Sequence, residues 1–583
     1  MITQVLRKES SFLFPLVLPS IAIGSAMAIW WFYLLQYTSN IPYWDDFLWA
    51  VNFMADWTQA QDSAQQWQHL FGFYFEHRIV WLRLFLLSSY WLNGTVNFQA
   101  LLLIGNSGLL VLPFLFWKSL PGRNFVVKIS YLCPITWVLW QPQCYHNIFT
   151  TYGLSNHYTI LFVIGTIYTL IYFPHKLVLA LLLAFLATFN TGTGLIAWGV
   201  GGSILVWQNR RNHLIIWILV ALICIVGYFG GGGKPSSFAP QNVPLLTKIL
   251  NLPFYLPTFF FDIFDFGSLK AGKMTAMLIG ILSFGGLLTW VFSQLRPIFQ
   301  ASPWQQIPQI LWKSRQNLNL NQLFLLHIVF FLGIVGLAAA FNRVGVKFNQ
   351  WSFPDYYRIY SQIFIVVLYS WGLQYLSYRL QVRVIGMVFA GIFWMASYII
   401  HTPHIINLHH QIEADAFNFK VNSRWSFYPA HRGSQEYHLI NQNTHRIIES
   451  GIWQIPSFTS TFRHESVHCE DCQLNISTDH TKPAFKFQYT GYESHSNTQF
   501  SAYQSSQHLW IAPLTQTVAD LGYMLTHQSL TKSEPVSVVS INRYFFEATD
   551  IRPSILKHWP LKSIPMPIDF VGDTELSAVH VQP

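Results

Sequence analysis

Asp45 and Asp46 stand side by side in the run Ile41-Pro42-Tyr43-Trp44-Asp45-Asp46, just past the first long apolar stretch at 12–37. A half-buried charge at a membrane surface is penalised by lipid and by lost water, so a carboxylate pair there calls for a reason. Adjacent carboxylates can supply a general base with an orienting neighbour, or ligands for a hard cation. The segment rich in aromatic and polar residues that follows ends in Glu76-His77-Arg78. Other polar groups cluster at the ends of apolar stretches. They are His146, Asn147, Asn156 and His157 in 141–157, Asn190-Thr191-Gly192-Thr193-Gly194, and the Gly230 to Lys234 run. Asn342-Arg343-Val344-Gly345-Val346-Lys347 and Asp355-Tyr356-Tyr357-Arg358 complete the set.

The elements that must position these groups are membrane helices. Of 583 residues, 52% are hydrophobic and only 10% charged, against about 25% charged in soluble domains. Apolar stretches recur at 12–37, 98–117, 126–140, 157–174, 177–190, 194–208, 214–230, 274–293, 322–341, 360–376 and 384–401. Several are short, but together they predict about eleven crossings, starting inside and ending outside. The first is too long for a signal-peptide core and is read as a retained helix. Loops assigned inside carry Arg7, Lys8, Lys118, Arg123, Lys128, Lys176, Arg210, Arg211, Arg296, Lys313, Arg315, Arg379 and Arg383. Only Glu9 opposes them. Asp45, Asp46, Asp56, Asp62, Glu76, Asp262, Asp265 and Asp355 all fall outside. The positive-inside rule counts Lys and Arg alone, so this acidic segregation checks the map from a second direction. Two segments test its parity. The 79–92 stretch carries Arg83 and is read as an amphipathic helix along the outer interface. The 245–261 stretch, interrupted by Pro253 and Pro257, is read as broken or re-entrant.

The formal net charge of +9 follows from the cytoplasmic fringe facing anionic lipid, and no Arg-rich stripe with interleaved aromatics points to nucleic acid. Residues 402–583 hold more Asp and Glu than Lys and Arg, lack a spanning stretch, and contain short β-like runs. The expected fold is therefore an α-helical polytopic membrane protein with a small C-terminal β-rich extracytoplasmic domain. Its parts are a transmembrane domain over 1–401, with an outer loop at 38–97, and the outer domain over 402–583. Cys133, Cys144 and Cys224 read as packing residues. Cys469 and Cys472 form a C-x-x-C whose outer location favours a local disulfide. A metal site with His464 and His468, or two solvated thiols, stay as alternatives.

Each polar group also has a plainer reading. Asp45 and Asp46 can cap an interfacial helix. Glu76-His77-Arg78 can open a solvated helix with Arg83 snorkelling. Arg343 and Arg358 can hold lipid headgroups nonspecifically, and 190–194 can be a tight turn made by glycine dihedrals. Gly230 to Lys234 lacks the spacing of a Walker A loop.

A single span followed by Pro-x-Trp-Asp-acid, here Pro42-Tyr43-Trp44-Asp45-Asp46, resembles the start of the GT-C superfamily of polyprenyl-phosphate-sugar-dependent glycosyltransferases. Protein O-mannosyltransferases and the aminoarabinose transferases of lipid A belong to it. Glu76-His77-Arg78-Ile79 with Arg83 is similar to a bacterial branch carrying Glu-His-Arg-Ile at this place. Asn190 to Trp198 is similar to that branch's Asn-Gly-x-x-x-Trp turn but carries inserted residues, and Tyr357-Arg358 reverses its Arg-Tyr pair. The resemblance covers 1–401. It implies a GT-C-like fold and transfer of a sugar from a polyprenyl-phosphate donor on the extracytoplasmic face.

That chemistry needs a base for the acceptor hydroxyl and cations for the departing phosphate. Asp45 is assigned as the base, with Asp46 as an alternative base, orienting group or metal ligand. Arg343 and Lys347 are candidate phosphate clamps, followed by Arg358 and Arg78. Glu76 and His77 would shape the acceptor side, and Asn190, His146 and Tyr357 would add substrate contacts. Direct displacement at the anomeric carbon by the activated hydroxyl inverts configuration. No cofactor is assigned, and a divalent metal at Asp45 and Asp46 is left open. The acceptor is a lipid, glycan or protein. The expected location is a bacterial inner membrane, N-terminus cytoplasmic. A transporter or flippase for lipid-linked saccharide is the alternative, and a non-catalytic assembly or receptor subunit the third reading.

Overall fold

The computed structural model describes residues 2–230, 243–265, 274, 276–283, 285, 319–343, 353–376, 379–425, 428, 434–456 and five strands between 475 and 542. Side chains are described from residue 17 onward, with those of Arg343, Tyr375, Val421, Asn422 and the strands excluded. The described chain is mainly helical. Six helices are long and apolar enough to cross a membrane: Val17–Tyr37, Phe98–Leu115, Tyr152–Tyr172, Arg211–Gly230, Leu320–Asn342 and Arg379–Lys420. Four further expected spans appear as helices that are shorter or less apolar, Phe125–Leu139, Leu177–Thr188, Ile196–Trp207 and Arg358–Tyr375. Most of the 274–293 stretch lies outside the described residues.

Apolar helices carry their few hydroxyls at low cost by bonding back one turn. Thr166 Oγ1 donates to Phe162 O at 2.8 Å and Thr169 Oγ1 to Gly165 O at 2.7 Å. Starts and stops are local. Asn124 accepts from Val126 N before one helix, and Asp62 from Gln65 N before Ser63–Phe71.

Two segments differ in part from expectation. The 245–261 segment is one continuous helix, Leu245–Phe261, with Pro253 and Pro257 inside it. Each proline loses one backbone hydrogen bond, yet the C-terminal part from Tyr255 to Phe261 is largely buried among aromatic rings. The segment after 401, expected to be β-rich, begins helically. Arg379–Asn422 runs through that boundary, and Gln435–Glu449 follows with Ser434 accepting from Tyr437 N. Five short strands come later. Asn475–Thr478 pairs antiparallel with Phe485–Gln488, and Thr498–Gln504 lies between Leu509–Pro513 and Ser537–Asn542.

The chain forms two compact units, and their boundaries cut through the first loop. One comprises Met1–Tyr37, Gln61–Leu87 and Ala100–Thr402. The other comprises Thr38–Ala60, Ser88–Gln99 and Pro403–Pro583. Asp45 and Asp46 thus belong with the C-terminal part, and Glu76 to Arg78 with most of the apolar helices.

Candidate functional site

In the second unit, Asp45 and Asp46 sit on a tight turn. Asp46 N donates to Tyr43 O at 3.0 Å and Phe47 N to Trp44 O at 3.1 Å. Asp46 is 4% exposed, and its carboxylate accepts from Tyr43 N at 3.0 Å and Trp49 Nε1 at 3.1 Å. Its oxygens therefore close the turn from inside. Asp45 is half-buried. Trp44, just before it, has φ of 50°, a left-handed conformation that costs a bulky residue about 1–2 kcal/mol. The turn leads into the π-helix Phe47–Val51. Residues far along the chain fasten it. Phe47 packs on Trp425 at 4.5 Å, Asn443 Nδ2 donates to Asn52 Oδ1 at 2.9 Å, and Trp453 Nε1 donates to Asn40 O at 3.0 Å.

In the first unit, Phe75 and Glu76 form the tip of a two-residue reverse turn. Tyr74 and His77 exchange backbone hydrogen bonds of 2.7 and 2.8 Å across it. Phe75 also has φ of 50°, where such turns ordinarily place glycine. Arg78 is fully buried rather than solvated. Its guanidinium lies 4.0 Å from the Phe73 ring centroid and donates to Tyr228 O and Phe71 O. Burial lowers its pKa from the usual arginine value. Arg83 is buried as well, donating to Leu70 O at 3.0 Å and Gly72 O at 2.6 Å, so it organises the loop instead of snorkelling. Glu76 Oε2 is buried with no hydrogen-bond partner among the described residues.

The same unit draws other expected residues together. His77 Nδ1 accepts from Gly192 N at 3.2 Å. A Cβ on Gly192 would lie 3.0 Å from His77 Nδ1, and one on Gly194 only 1.8 Å from Ala187 O. Close approach, not a positive φ, is what requires glycine in this turn. Asn190 Nδ2 donates to Leu154 O, Ser155 O and Thr159 Oγ1, joining two helix ends. His146 donates to Asp355 through its backbone N at 3.2 Å and its ring Nδ1 at 2.8 Å. Arg358, 5% exposed, pairs with Asp265 at 3.3 Å and Asp262 at 3.5 Å. Burial disfavours a lone guanidinium here, and the two carboxylates offset that cost. Burial likewise opposes ionisation of Asp355, yet His146 and Arg358 prevail and hold its carboxyl below the usual value. The Cys144 thiol accepts from Gln362 Nε2 at 3.2 Å; burial, reinforced by Asp355, pushes its pKa well above normal. Tyr357 is half-buried among Phe259, Phe353 and Tyr360.

Lys347, Cys469 and Cys472 lie outside the described residues, as does the Arg343 side chain. Cys133, Cys144 and Cys224 are buried free thiols. Among the described residues no group of three or more His, Cys, Asp or Glu side chains is arranged to hold a metal ion. Asp262 and Asp265 as partners of Arg358, and Tyr228 as the anchor of Arg78, were not expected. The two aspartates were visible only as members of the acidic set, and Tyr228 gave no signal within its apolar helix.

Comparison with family models, with curated proteins and with solved structures finds no match for this chain.

Proposed function

We propose that the protein is an integral-membrane glycosyltransferase that moves a sugar from a polyprenyl-phosphate donor to an acceptor hydroxyl on the extracytoplasmic face. It would span the membrane about eleven times with the N-terminus inside. The observation that supports this most is the acidic turn. Asp46 is held by Tyr43 and Trp49 while Asp45 stays half-buried, following a tryptophan in a strained backbone conformation. Asp45 takes the acceptor proton, the acceptor oxygen bonds to the anomeric carbon, and the bond from that carbon to the phosphate oxygen breaks with inversion. The leaving group is polyprenyl phosphate. Arg78 and Arg358 are both buried on protein partners, so the phosphate role concentrates on Arg343 and Lys347. The unpartnered Glu76 oxygen supports a place for Glu76 beside the acceptor.

The test is transfer by purified full-length protein with a panel of polyprenyl phosphate sugars. Asp45→Asn should lose about 10²–10⁴-fold in rate with donor affinity little changed. Arg343→Ala should weaken donor binding instead. Near-normal rates for Asp45→Asn, Asp46→Asn and Glu76→Gln together would remove this mechanism. The buried Arg358–Asp262–Asp265 network is the observation that favours transport, since buried ion pairs mark many transport paths. Flux of lipid-linked saccharide across proteoliposomes without transfer would establish that reading.

A further inference from the structure

Tyr428 lies far from the acidic turn in sequence but in the same unit. It is 8% exposed, and its ring meets that of Phe47 edge-on with centroids 5.5 Å apart. Phe47 directly follows Asp46 and also packs on Trp425. The Tyr428 hydroxyl donates to Glu436 Oε1, in the first turn of Gln435–Glu449. Tyr437, next to Glu436, donates its own hydroxyl to Trp425 O at 2.5 Å, and Trp425 Nε1 donates to Thr444 Oγ1 at 3.1 Å. The rings that support the acidic turn and the carboxylate that engages Tyr428 are therefore joined by packed rings and hydrogen bonds.

We propose that Tyr428 and Glu436 are positioning residues for Asp45, Tyr428 holding the turn by its ring and pinning the Glu436 charge in the surroundings of Asp45. What Asp45 does in the reaction rests on the glycosyl-transfer reading; the coupling between these groups does not. Burial raises the Tyr428 pKa, and Glu436 and then Asp45 push it the same way, so the phenol lies in the field of both carboxylates. A like charge nearby makes a carboxylate hold a proton more tightly, which is what a general base requires. The other titratable or charged groups on the elements packed here are Asp46 and Tyr43 on the turn, Asp56 on the Asn52–Gln59 helix, Arg424 beside Trp425, and Tyr437, His438, His445, Arg446 and Glu449 on the Gln435–Glu449 helix.

The coupling is measured by placing a polyfluorinated tyrosine at position 428 of the full-length chain and following its ¹⁹F signal with pH. Its phenol ionises low enough to titrate in the folded protein. Glu436→Gln and Asp45→Asn should each move the midpoint to lower pH, because each removes a negative charge facing the phenol. A midpoint unmoved by Asp45→Asn overturns the proposal, whether or not the protein transfers sugar. In transfer assays, Tyr428→Phe keeps the ring and loses the hydroxyl. It should lower kcat by about 2- to 5-fold, the reach of the exposed Glu436 charge, with donor KM unchanged. Glu436→Gln should lower kcat similarly and shift the acidic limb of the rate profile to lower pH, and Glu436→Asp should restore both. Rate profiles of Tyr428→Phe and Glu436→Gln that overlay the parent also overturn it. A coupled midpoint in a protein that transfers nothing would instead count against the glycosyl-transfer reading.

Discussion

The Trp44-Asp45-Asp46 turn and the Phe75-Glu76-His77-Arg78 turn are built alike in two different units. Each sets an aromatic residue at φ of 50° immediately before a carboxylate. Each also embeds a second charged side chain among backbone groups, Asp46 accepting in one and Arg78 donating in the other. The difference lies in the sign of the embedded charge. In the first turn the neighbour of Asp45 is a buried carboxylate, Asp46. A buried guanidinium in the second turn adds positive charge near Glu76 while its hydrogen bonds go elsewhere. On the proposed mechanism the first turn carries the base and the second faces the acceptor.

The comparison breaks most visibly in rate. Asp45→Asn should reduce transfer by about 10²–10⁴-fold, whereas Glu76→Gln should raise acceptor KM more than it lowers kcat. Equal kcat losses would make the two turns equivalent. Next in size is the cost of exposing buried partners. Arg358→Met removes a buried cation facing Asp262 and Asp265 and should destabilise the fold by about 3–5 kcal/mol, read as a shifted denaturation midpoint. Asp46→Asn should cost about 1–3 kcal/mol, because an amide cannot accept from both Tyr43 N and Trp49 Nε1 as the carboxylate does. The backbone comparison is sharper still in design. Trp44→Gly and Trp44→Ala both remove the ring, but only alanine keeps the left-handed penalty, so glycine should be more stable by about 1–2 kcal/mol; the same order should hold at Phe75.

The smallest effect is in acid. His146 and Arg358 depress the Asp355 pKa in the fold, so its stabilisation is present above the unfolded value of about 4 and is lost as pH falls through the folded one. The melting temperature should therefore drop only in strong acid. His146→Ala should move that drop to higher pH.

The apolar pattern made the helices legible: the expected 98–117, 157–174 and 322–341 spans have counterparts in Phe98–Leu115, Tyr152–Tyr172 and Leu320–Asn342. The polar residues at the stretch ends were legible as a set, but their pairings, His77 with Gly192 and His146 with Asp355, were not. Arginine burial was not legible. Arg78, Arg83 and Arg358 look like surface charges in sequence, because their partners are backbone carbonyls or distant aspartates that no local pattern marks. Nor did sequence tie Asp45 to the residues after 402, since that tie rests on rings and amides from Trp425 to Trp453. The unbroken Leu245–Phe261 helix shows proline's preference yielding to aromatic packing.

The unit that holds Asp45 is written in three instalments, 38–60, 88–99 and everything from 403 onward. A ribosome delivers the acidic turn early, but Trp425, Gln435–Glu449 and Trp453, which support it, emerge only after the last apolar helix. Closing contacts across so many intervening residues is slow and comes late. The newborn chain can thus insert its helices while its acidic turn is still unfinished. A chain cut short between the last of these apolar helices and residue 425 would carry the acidic turn without any of the later residues that support it.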